Sequence, residues 1–134
     1  MKCTSLAFLL LLAVILIAAP GSLKSQSLHI LESKSTDGEP VGEKTTFYMS
    51  SDQYKENFVY MLVKFPGAYG KSQILFRAVK VGEPGPVSWV DIDPSATWYC
   101  YEMYIPQWGE YTLTVTDVDN NLIAETKITM KAAK

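Results

Sequence analysis

Cysteine and histidine are nearly absent from this sequence. Its 134 residues include two cysteines, Cys3 and Cys100, and one histidine, His29. Zinc sites built from cysteine and histidine need clusters of these residues, so such a site is excluded. A histidine-activated serine or cysteine nucleophile would have to use His29, and no G-x-S-x-G sequence marks its partner. The sequence therefore predicts no enzyme and no cofactor.

A basic excess is also missing. Twelve Lys and Arg stand against 14 Asp and Glu, which gives a formal net charge of −2. Residues 1–25 hold two of the lysines and no acid, so the remaining chain has 10 against 14, or −4. Nucleic acids and anionic lipid surfaces attract proteins through an excess of Lys and Arg. The sequence therefore predicts no nucleic-acid partner.

The apolar run near the N-terminus is short for a membrane span. Leu6–Ala19 follows the positive charge of Lys2 and ends at a Pro-Gly pair. Secretory signals show this order of charge, apolar segment and helix breaker, whereas a spanning helix needs about 20 apolar residues. We expect residues 1–25 to be a signal peptide, or else a short membrane anchor, and residues 26–134 to be the domain. The protein is then extracytoplasmic, that is periplasmic, on the cell surface or secreted, and touches a membrane only through residues 1–25 if they remain.

Helical periodicity is absent from the remainder, where apolar and polar residues alternate between turns rich in Gly, Pro, Ser and Asp. Short strands at this spacing are typical of an antiparallel sandwich. Since one cysteine follows the predicted signal, packing rather than an internal disulfide must hold the fold. The sequence predicts an all-β antiparallel sandwich of seven or eight strands. These lie near Leu28–Glu32, Lys44–Met49, Phe58–Phe65, Gln73–Val81, Val87–Ile92, Thr97–Ile105, Tyr111–Val118 and Leu122–Met130.

The clearest strand signal is the segment PQWGEYTLTVTDVDNNLIA, which begins at Pro106. From Tyr111 onward, apolar residues alternate with threonines, which predicts one buried and one solvent face. A glycine two residues before a tyrosine that opens a strand resembles the tyrosine corner of immunoglobulin-like sandwiches. The whole segment resembles the last hairpin of bacterial immunoglobulin-like extracellular domains. The resemblance implies that the Tyr111 hydroxyl bonds to nearby backbone and that Trp89 or Trp98 is the core tryptophan, although the paired cysteines of antibody domains are absent.

The pentapeptide DVDNN at 117–121 is compatible with either a calcium loop or a hairpin turn. An EF-hand needs glycine at its sixth position and glutamate at its twelfth, where this chain has Leu122 and Ile128. A type I turn explains the residues, with Asn121 in the left-handed conformation that asparagine tolerates. A second hypothesis places calcium between loops at one pole of the sandwich. Its oxygen ligands would be Asp91, Asp93, Asp117, Asp119 and Asn120.

Aromatic residues are concentrated in the segment TWYCYEMYIPQW. In a strand, alternate residues of this segment share a face. An unpaired carboxylate is costly to bury, so the face that carries Glu102 is expected to point outward. Exposed aromatic rings supply rigid contact area for a peptide or a sugar; the alternative is that neighbouring chain covers them. The candidate ligand face consists of Trp98, Glu102, Tyr104 and Trp108.

Together these features predict a secreted or cell-surface immunoglobulin-like module with a non-enzymatic binding or structural role. Its partner is expected to be a protein or a glycan. The alternative is a carbohydrate-binding or inhibitor-like module that uses the aromatic face. A small secreted enzyme is the third hypothesis.

Overall fold

Eight β-strands and the turns between them make up the computed structural model, which describes residues 27–52, 55–83 and 85–133. All eight predicted strands are confirmed, with ends within two residues of the prediction. No helix in the described residues is long and apolar enough to cross a membrane. The predicted signal peptide lies outside them. The strands are β1 (Ser27–Leu31), β2 (Thr46–Tyr48), β3 (Phe58–Lys64), β4 (Gln73–Lys80), β5 (Val87–Asp91), β6 (Trp98–Tyr104), β7 (Gly109–Asp117) and β8 (Leu122–Lys131).

The strands form two sheets that pack as a sandwich. One has three antiparallel strands in the order β1-β3-β6, and the other has five in the order β2-β8-β7-β4-β5. The prediction of a purely antiparallel sandwich is wrong at one strand. β2 runs parallel to β8, with Thr46 opposite Thr129. Short hairpin turns impose antiparallel pairing, whereas most of the chain separates β2 from β8, so no turn sets their direction.

Alternate residues of the two sheets face each other and form the core. Phe76 of β4 is fully buried and stacks on Tyr101 of β6, with ring centroids 4.7 Å apart and an interplanar angle of 9°. The predicted faces of β6 are confirmed, because Tyr101 packs on the core while Glu102 is exposed. The expectation of a core tryptophan is wrong. Trp89 is 53% exposed and Trp98 lies on the outer face of β6, whereas the buried core aromatics are Phe47, Phe65, Phe76 and Tyr111.

A second apolar layer lies on the outer face of the three-stranded sheet. Leu31 of β1 and Leu62 of β3 point away from the core, yet neither is exposed to solvent. The β1–β2 connection lies over this face and returns to β1 through a bridge between Leu31 and Glu43. Its Gly38 sits at φ +80°, and a Cβ there would come within 2.7 Å of the Trp98 ring. Both the positive φ and the close approach to Trp98 require glycine at this position. The β1–β2 connection therefore partly covers Trp98.

The β6–β7 connection is fixed by Tyr111. Its hydroxyl donates a hydrogen bond to the carbonyl oxygen of Gln107 over 2.8 Å, which confirms the predicted bond to nearby backbone. The adjacent Trp108 is 65% exposed, and the Lys80 ammonium lies 5.8 Å from the centroid of its ring. Since Lys80 belongs to β4, Trp108 lies at the border of the five-stranded sheet.

Candidate functional site

The outer face of the five-stranded sheet carries a continuous row of side chains. Trp89 of β5 lies opposite Leu75 of β4, and Leu75 lies opposite Thr116 of β7. Thr116 in turn lies opposite Leu122 of β8. The alternate residues of β4 and β7 point into the core, so these four residues point outward. We call them the apolar row; with strands about 4.8 Å apart it runs about 14 Å across the sheet.

The apolar row is accessible at both ends. Trp89 is 53% exposed and Leu122 is 55% exposed. Leu75 between them is only 5% exposed, and because it points away from the core, its neighbours on the outer face must cover it. Val87 and Val118 extend the exposed apolar surface along the strands. Contiguous apolar surface of this kind marks interaction sites on soluble proteins.

Polar side chains border the apolar row on both sides. On one side Gln73 donates from Nε2 to Asp91 Oδ1 over 3.2 Å. On the other side Arg77 lies opposite Thr114, and Thr114 lies opposite Glu125. An apolar centre with a polar and charged border is the composition of a protein–protein interface.

One polar atom within the row lacks a partner. Thr116 Oγ1 is buried and makes no hydrogen bond within the described residues. A buried hydroxyl without a partner costs about 1–3 kcal/mol. The centre of the row therefore carries a local cost in stability.

At one pole of the same sheet, Lys71 lies between two aspartates. Its Nζ is 2.7 Å from Asp117 Oδ2 and 3.1 Å from Asp119 Oδ2. The N–H groups of Asp119 and Asn121 both donate to Asp117 Oδ1 over 2.9 Å. Burial opposes ionisation of Asp117, but the bonds from Lys71, Asn121 and Asp119 outweigh it and lower the pKa of Asp117 to about 2. The same aspartates raise the pKa of Lys71, so an ion pair ties the β3–β4 loop to the β7–β8 turn.

The calcium candidates Asp91 and Asp117, both at this pole, point in different directions. Asp91 lies opposite Gln73, and Asp117 lies opposite Ile74. Because Gln73 and Ile74 are consecutive residues of β4, the two carboxylates point to opposite faces of the sheet.

The other calcium candidates contribute to turns. Asp93 Oδ1 accepts hydrogen bonds from the N–H and the hydroxyl of Ser95, and Asp119 faces Lys71. Asn120 adopts the left-handed conformation of the β7–β8 turn. Within residues 27–52, 55–83 and 85–133, no group of three or more His, Cys, Asp or Glu side chains could hold a metal ion.

The left-handed residue of the β7–β8 turn is Asn120, with φ 64°, so the prediction of Asn121 is wrong by one position. Asp117 donates its N–H to the carbonyl of Asn121, and this pair closes the hairpin. A closing pair at 117 and 121 leaves a three-residue loop, 118–120. In such a loop a type I turn is followed by one left-handed residue, which is the third. Asn121 instead donates from Nδ2 to Asp117 Oδ2 over 3.2 Å.

The predicted aromatic ligand residues lie in three places. Trp98 and Tyr104 occupy the two ends of β6, six residues apart, which is about 20 Å along a strand. Glu102 adjoins Tyr104 on the outer face, where the Tyr104 ring lies 5.8 Å from that of Phe58. Trp108 lies beside β4. The structure therefore brings Glu102 and Tyr104 together but places Trp98 and Trp108 elsewhere.

His29 has the connectivity of a hydrolytic triad. Its Nδ1 lies 2.9 Å from Glu43 Oε1, and its Nε2 lies 3.1 Å from Ser27 Oγ. Catalysis by such a triad also needs N–H donors aimed at the developing oxyanion. Backbone N–H groups of a strand lie in the plane of the sheet, whereas the Ser27 side chain stands perpendicular to it. The contact with Glu43 joins the β1–β2 connection to β1.

Sequence reasoning missed the apolar row and Lys71. A signal for the row was present, because Val87 and Trp89 alternate in phase with Asp91, and a carboxylate marks the solvent face of a strand. No local signal identifies Lys71, which lies 46 residues from Asp117 in the chain.

No protein-family model matches the chain, and no curated protein matches it in sequence.

Proposed function

We propose that this protein is a secreted or cell-surface immunoglobulin-like module that binds a protein partner, without catalysis, through the apolar row on the outer face of its five-stranded sheet. The observation that carries the proposal is the apolar row, in which Trp89 and Leu122 are each more than half exposed. Exposed apolar surface of this extent is costly to leave in water, and a bound partner removes that cost.

The strand order supports the immunoglobulin-like architecture. In these sandwiches strands A, B and E share one sheet, while C, F and G share the other and an added strand C′ lies beside C. In chain order β1, β3 and β6 correspond to A, B and E, and β4, β7 and β8 correspond to C, F and G, with β5 as C′. Tyr111 then opens strand F, where the tyrosine corner belongs. Fully buried Leu113, two residues later, stands where antibody domains have their second cysteine.

The chemistry of the row favours a protein over a glycan. A sugar needs a hydrogen-bonding group for each hydroxyl that it buries. The row offers one aromatic ring, on Trp89, and its other large side chains are the aliphatic Leu75 and Leu122. Val87 and Val118 add further aliphatic surface. Such a surface is complementary to the apolar centre of another protein's interface.

Secretion is supported by the order of charge, apolar segment and breaker in residues 1–25. We expect exported protein to begin after Ser25 or after Gly21 when its N-terminus is sequenced. A chain that still begins at Met1 would support the membrane anchor instead.

The binding proposal is tested by photo-crosslinking in the producing cells. The residue p-benzoylphenylalanine replaces Trp89 in one variant, Leu122 in a second and Lys127 in a third. Lys127 is the matched control, since it is exposed on the same sheet but lies outside the apolar row. We expect the Trp89 and Leu122 variants to crosslink to the same protein and the Lys127 variant not to do so.

The captured protein is then purified and titrated against unlabelled variants. We expect Trp89→Ala to weaken its binding by at least about tenfold, as truncation of a hot-spot tryptophan does, with an unchanged melting temperature. Lys127→Ala should leave the affinity unchanged. The proposal fails if positions 89 and 122 give no common adduct, or if Trp89→Ala binds the purified partner as tightly as the wild type.

A further inference from the structure

One edge of β6 has no neighbouring strand among the described residues, so its backbone N–H and C=O groups are free to bond. This edge belongs to the three-stranded sheet, whereas the apolar row lies on the five-stranded sheet. β6 pairs with β3 along its other edge. Ile105, just beyond β6, donates its N–H to the carbonyl of Asn57 across this ladder. Hydrogen-bonded residues alternate along an antiparallel strand, so the odd-numbered residues from 99 to 105 bond to β3. The residues that direct N–H and C=O groups toward the free edge are Trp98, Cys100, Glu102 and Tyr104.

β5 overhangs this free edge. Because Phe76 stacks on Tyr101, β4 lies opposite β6. β5 is the next strand beyond β4, and no strand of the described chain lies opposite it in the three-stranded sheet. Accordingly the inward residues of β5, Ser88 and Val90, are only half-buried, whereas Ile74, Phe76 and Ala78 of β4 are fully buried. The strand order therefore leaves one strand position, about 4.8 Å wide, that no described strand occupies beside β6 and beneath β5; we call it the β6 slot.

A cavity of about 370 Å³ opens at the same edge. It is lined by Trp98, Tyr99 and Cys100 of β6 and by residues 34–36 of the β1–β2 connection. Consecutive strand residues point to opposite faces, so a cavity that touches all three lies at the edge of the strand. The Cys100 thiol there forms no disulfide and is half-buried; burial raises its pKa, and a hydrogen bond from the Ser35 backbone opposes this shift. The cavity therefore leaves space at the beginning of the edge, beside residues 34–36.

We propose that the β6 slot binds an extended segment of a partner protein, which adds to β6 as an antiparallel fourth strand. Strand addition of this kind gains affinity from main-chain hydrogen bonds and specificity from alternate side chains. The occupant is a single strand because the overhang of β5 blocks the approach of a second whole sandwich. Its inward residues are apolar, since they meet Val90 and Tyr101. Its outward residue opposite Glu102 is basic, because Glu102 is the only charged residue of β6.

The test uses a fluorescent peptide, acetyl-Thr-Val-Arg-Val-Thr-Val-Thr-amide. In the antiparallel register its first residue lies opposite Tyr104, its Arg lies opposite Glu102, and its second Thr, the fifth residue, lies opposite Cys100. N-methylation of this Arg and this Thr removes two N–H donors that point at β6. N-methylation of the second and third Val removes two donors that point away, and so provides the matched control. We expect the first modification to weaken binding at least tenfold in fluorescence anisotropy, and the control to stay within twofold.

Protein variants test the side-chain contact. Glu102→Lys should weaken binding of the Arg peptide by about threefold and strengthen binding of a peptide with Glu in place of Arg by a similar factor, as expected for an exposed ion pair. Glu125→Lys, on the outer face of the other sheet, should change the affinity for neither peptide. Hydrogen exchange of the Cys100 and Glu102 amides should slow when the unmodified peptide binds.

Three outcomes overturn the proposal. The first is an absence of peptide binding at about 1 mM, the weakest affinity expected for main-chain pairing over this length. The second is equal binding of the two N-methylated peptides. The third is an edge whose amides are already protected in the free protein, which together with a dimer in sedimentation would assign the edge to a second copy of this chain. None of these outcomes bears on the apolar row, which lies on the other sheet.

Discussion

The Tyr111 hydroxyl and the Gln107 carbonyl oxygen lie 2.8 Å apart, and the ring of Tyr111 is buried in the core. This one bond anchors the connection between the two sheets to the first inward residue of β7. The turn before β7 thus takes its position from the core instead of from contacts on the surface.

Tyr111→Phe should therefore lower the free energy of unfolding by about 1–2 kcal/mol, because the Gln107 carbonyl loses its donor while the ring remains. Urea denaturation measures the change. Tyr104→Phe is the control, since Tyr104 lies on the outer face of β6 and is 43% exposed; it should stay within about 0.5 kcal/mol. A Tyr111→Phe variant as stable as the wild type would contradict the anchoring role.

Asp117 should make stability depend on pH at the acid end. Its pKa is lowered from 3.8 to about 2 in the folded protein. A group with a depressed folded pKa stabilises the fold fully above its unfolded pKa, and this contribution is lost as the pH falls through the folded pKa. We therefore expect the loss between about pH 4 and pH 2.

Asp117→Asn tests this dependence, and should cost about 1.5–3 kcal/mol at pH 7, since the bonds to the carboxylate are charge-assisted. The difference from the wild type should shrink as the pH falls toward 2. Asp91→Asn, at the same pole but on the opposite face, should stay within about 0.5 kcal/mol. A constant difference between Asp117→Asn and the wild type across this pH range would refute the assignment.

Calcium should leave the melting temperature unchanged. The Lys71 ammonium occupies the oxygens of Asp117 and Asp119 that a cation would need, and a bound ion raises the melting temperature of the folded state that holds it. The measurement is calorimetry with calcium and with a chelator. A rise with calcium that Asp119→Asn abolishes would establish the inter-loop site instead.

Asn120 and Asn121 should respond differently to glycine. Asn120→Gly should be neutral or slightly stabilising, because glycine adopts positive φ without strain, and Asn120→Val should cost about 1–2 kcal/mol. Asn121→Gly should cost about 1 kcal/mol through the lost bond to Asp117. Thermal denaturation of the three variants gives the ranking, and the reverse order for the two glycine variants would show that the left-handed residue is Asn121.

Thr116→Val should stabilise the protein by about 1 kcal/mol or more, because it removes a buried hydroxyl that has no partner and keeps the shape of the side chain. Thr114→Val, the adjacent outward threonine of β7, should change stability by less than about 0.5 kcal/mol. Chemical denaturation separates the two. Equal effects at both positions would mean that β-propensity, and not the unpaired hydroxyl, sets the gain.

Features that depend on residues close together in the sequence could be predicted, whereas features that depend on distant segments could not. Strand alternation is local, so all eight strands and the orientation of Glu102 could be predicted. The bond from Tyr111 to Gln107 spans four residues and could be predicted as well. The pairing of Lys71 with Asp117 and the cover of Trp98 by Gly38 depend on how distant segments meet, and no local pattern encodes them. The left-handed residue was predicted at Asn121 and lies at Asn120 because its position depends on the length of the loop. The closing pair sets that length, and residue preferences alone do not reveal which pair closes the hairpin.

The parallel pairing of β2 with β8 determines when the five-stranded sheet can be completed during synthesis. Phe47, a core residue of β2, lies opposite Met130 in the last strand. A chain emerges from the ribosome in sequence order. β2 therefore has no strand to pair with until β8 has been synthesised. Pairing between such distant segments is intrinsically slow to form. Under the proposed secretion, this delay would keep the newly made chain open long enough to be threaded through a translocation channel.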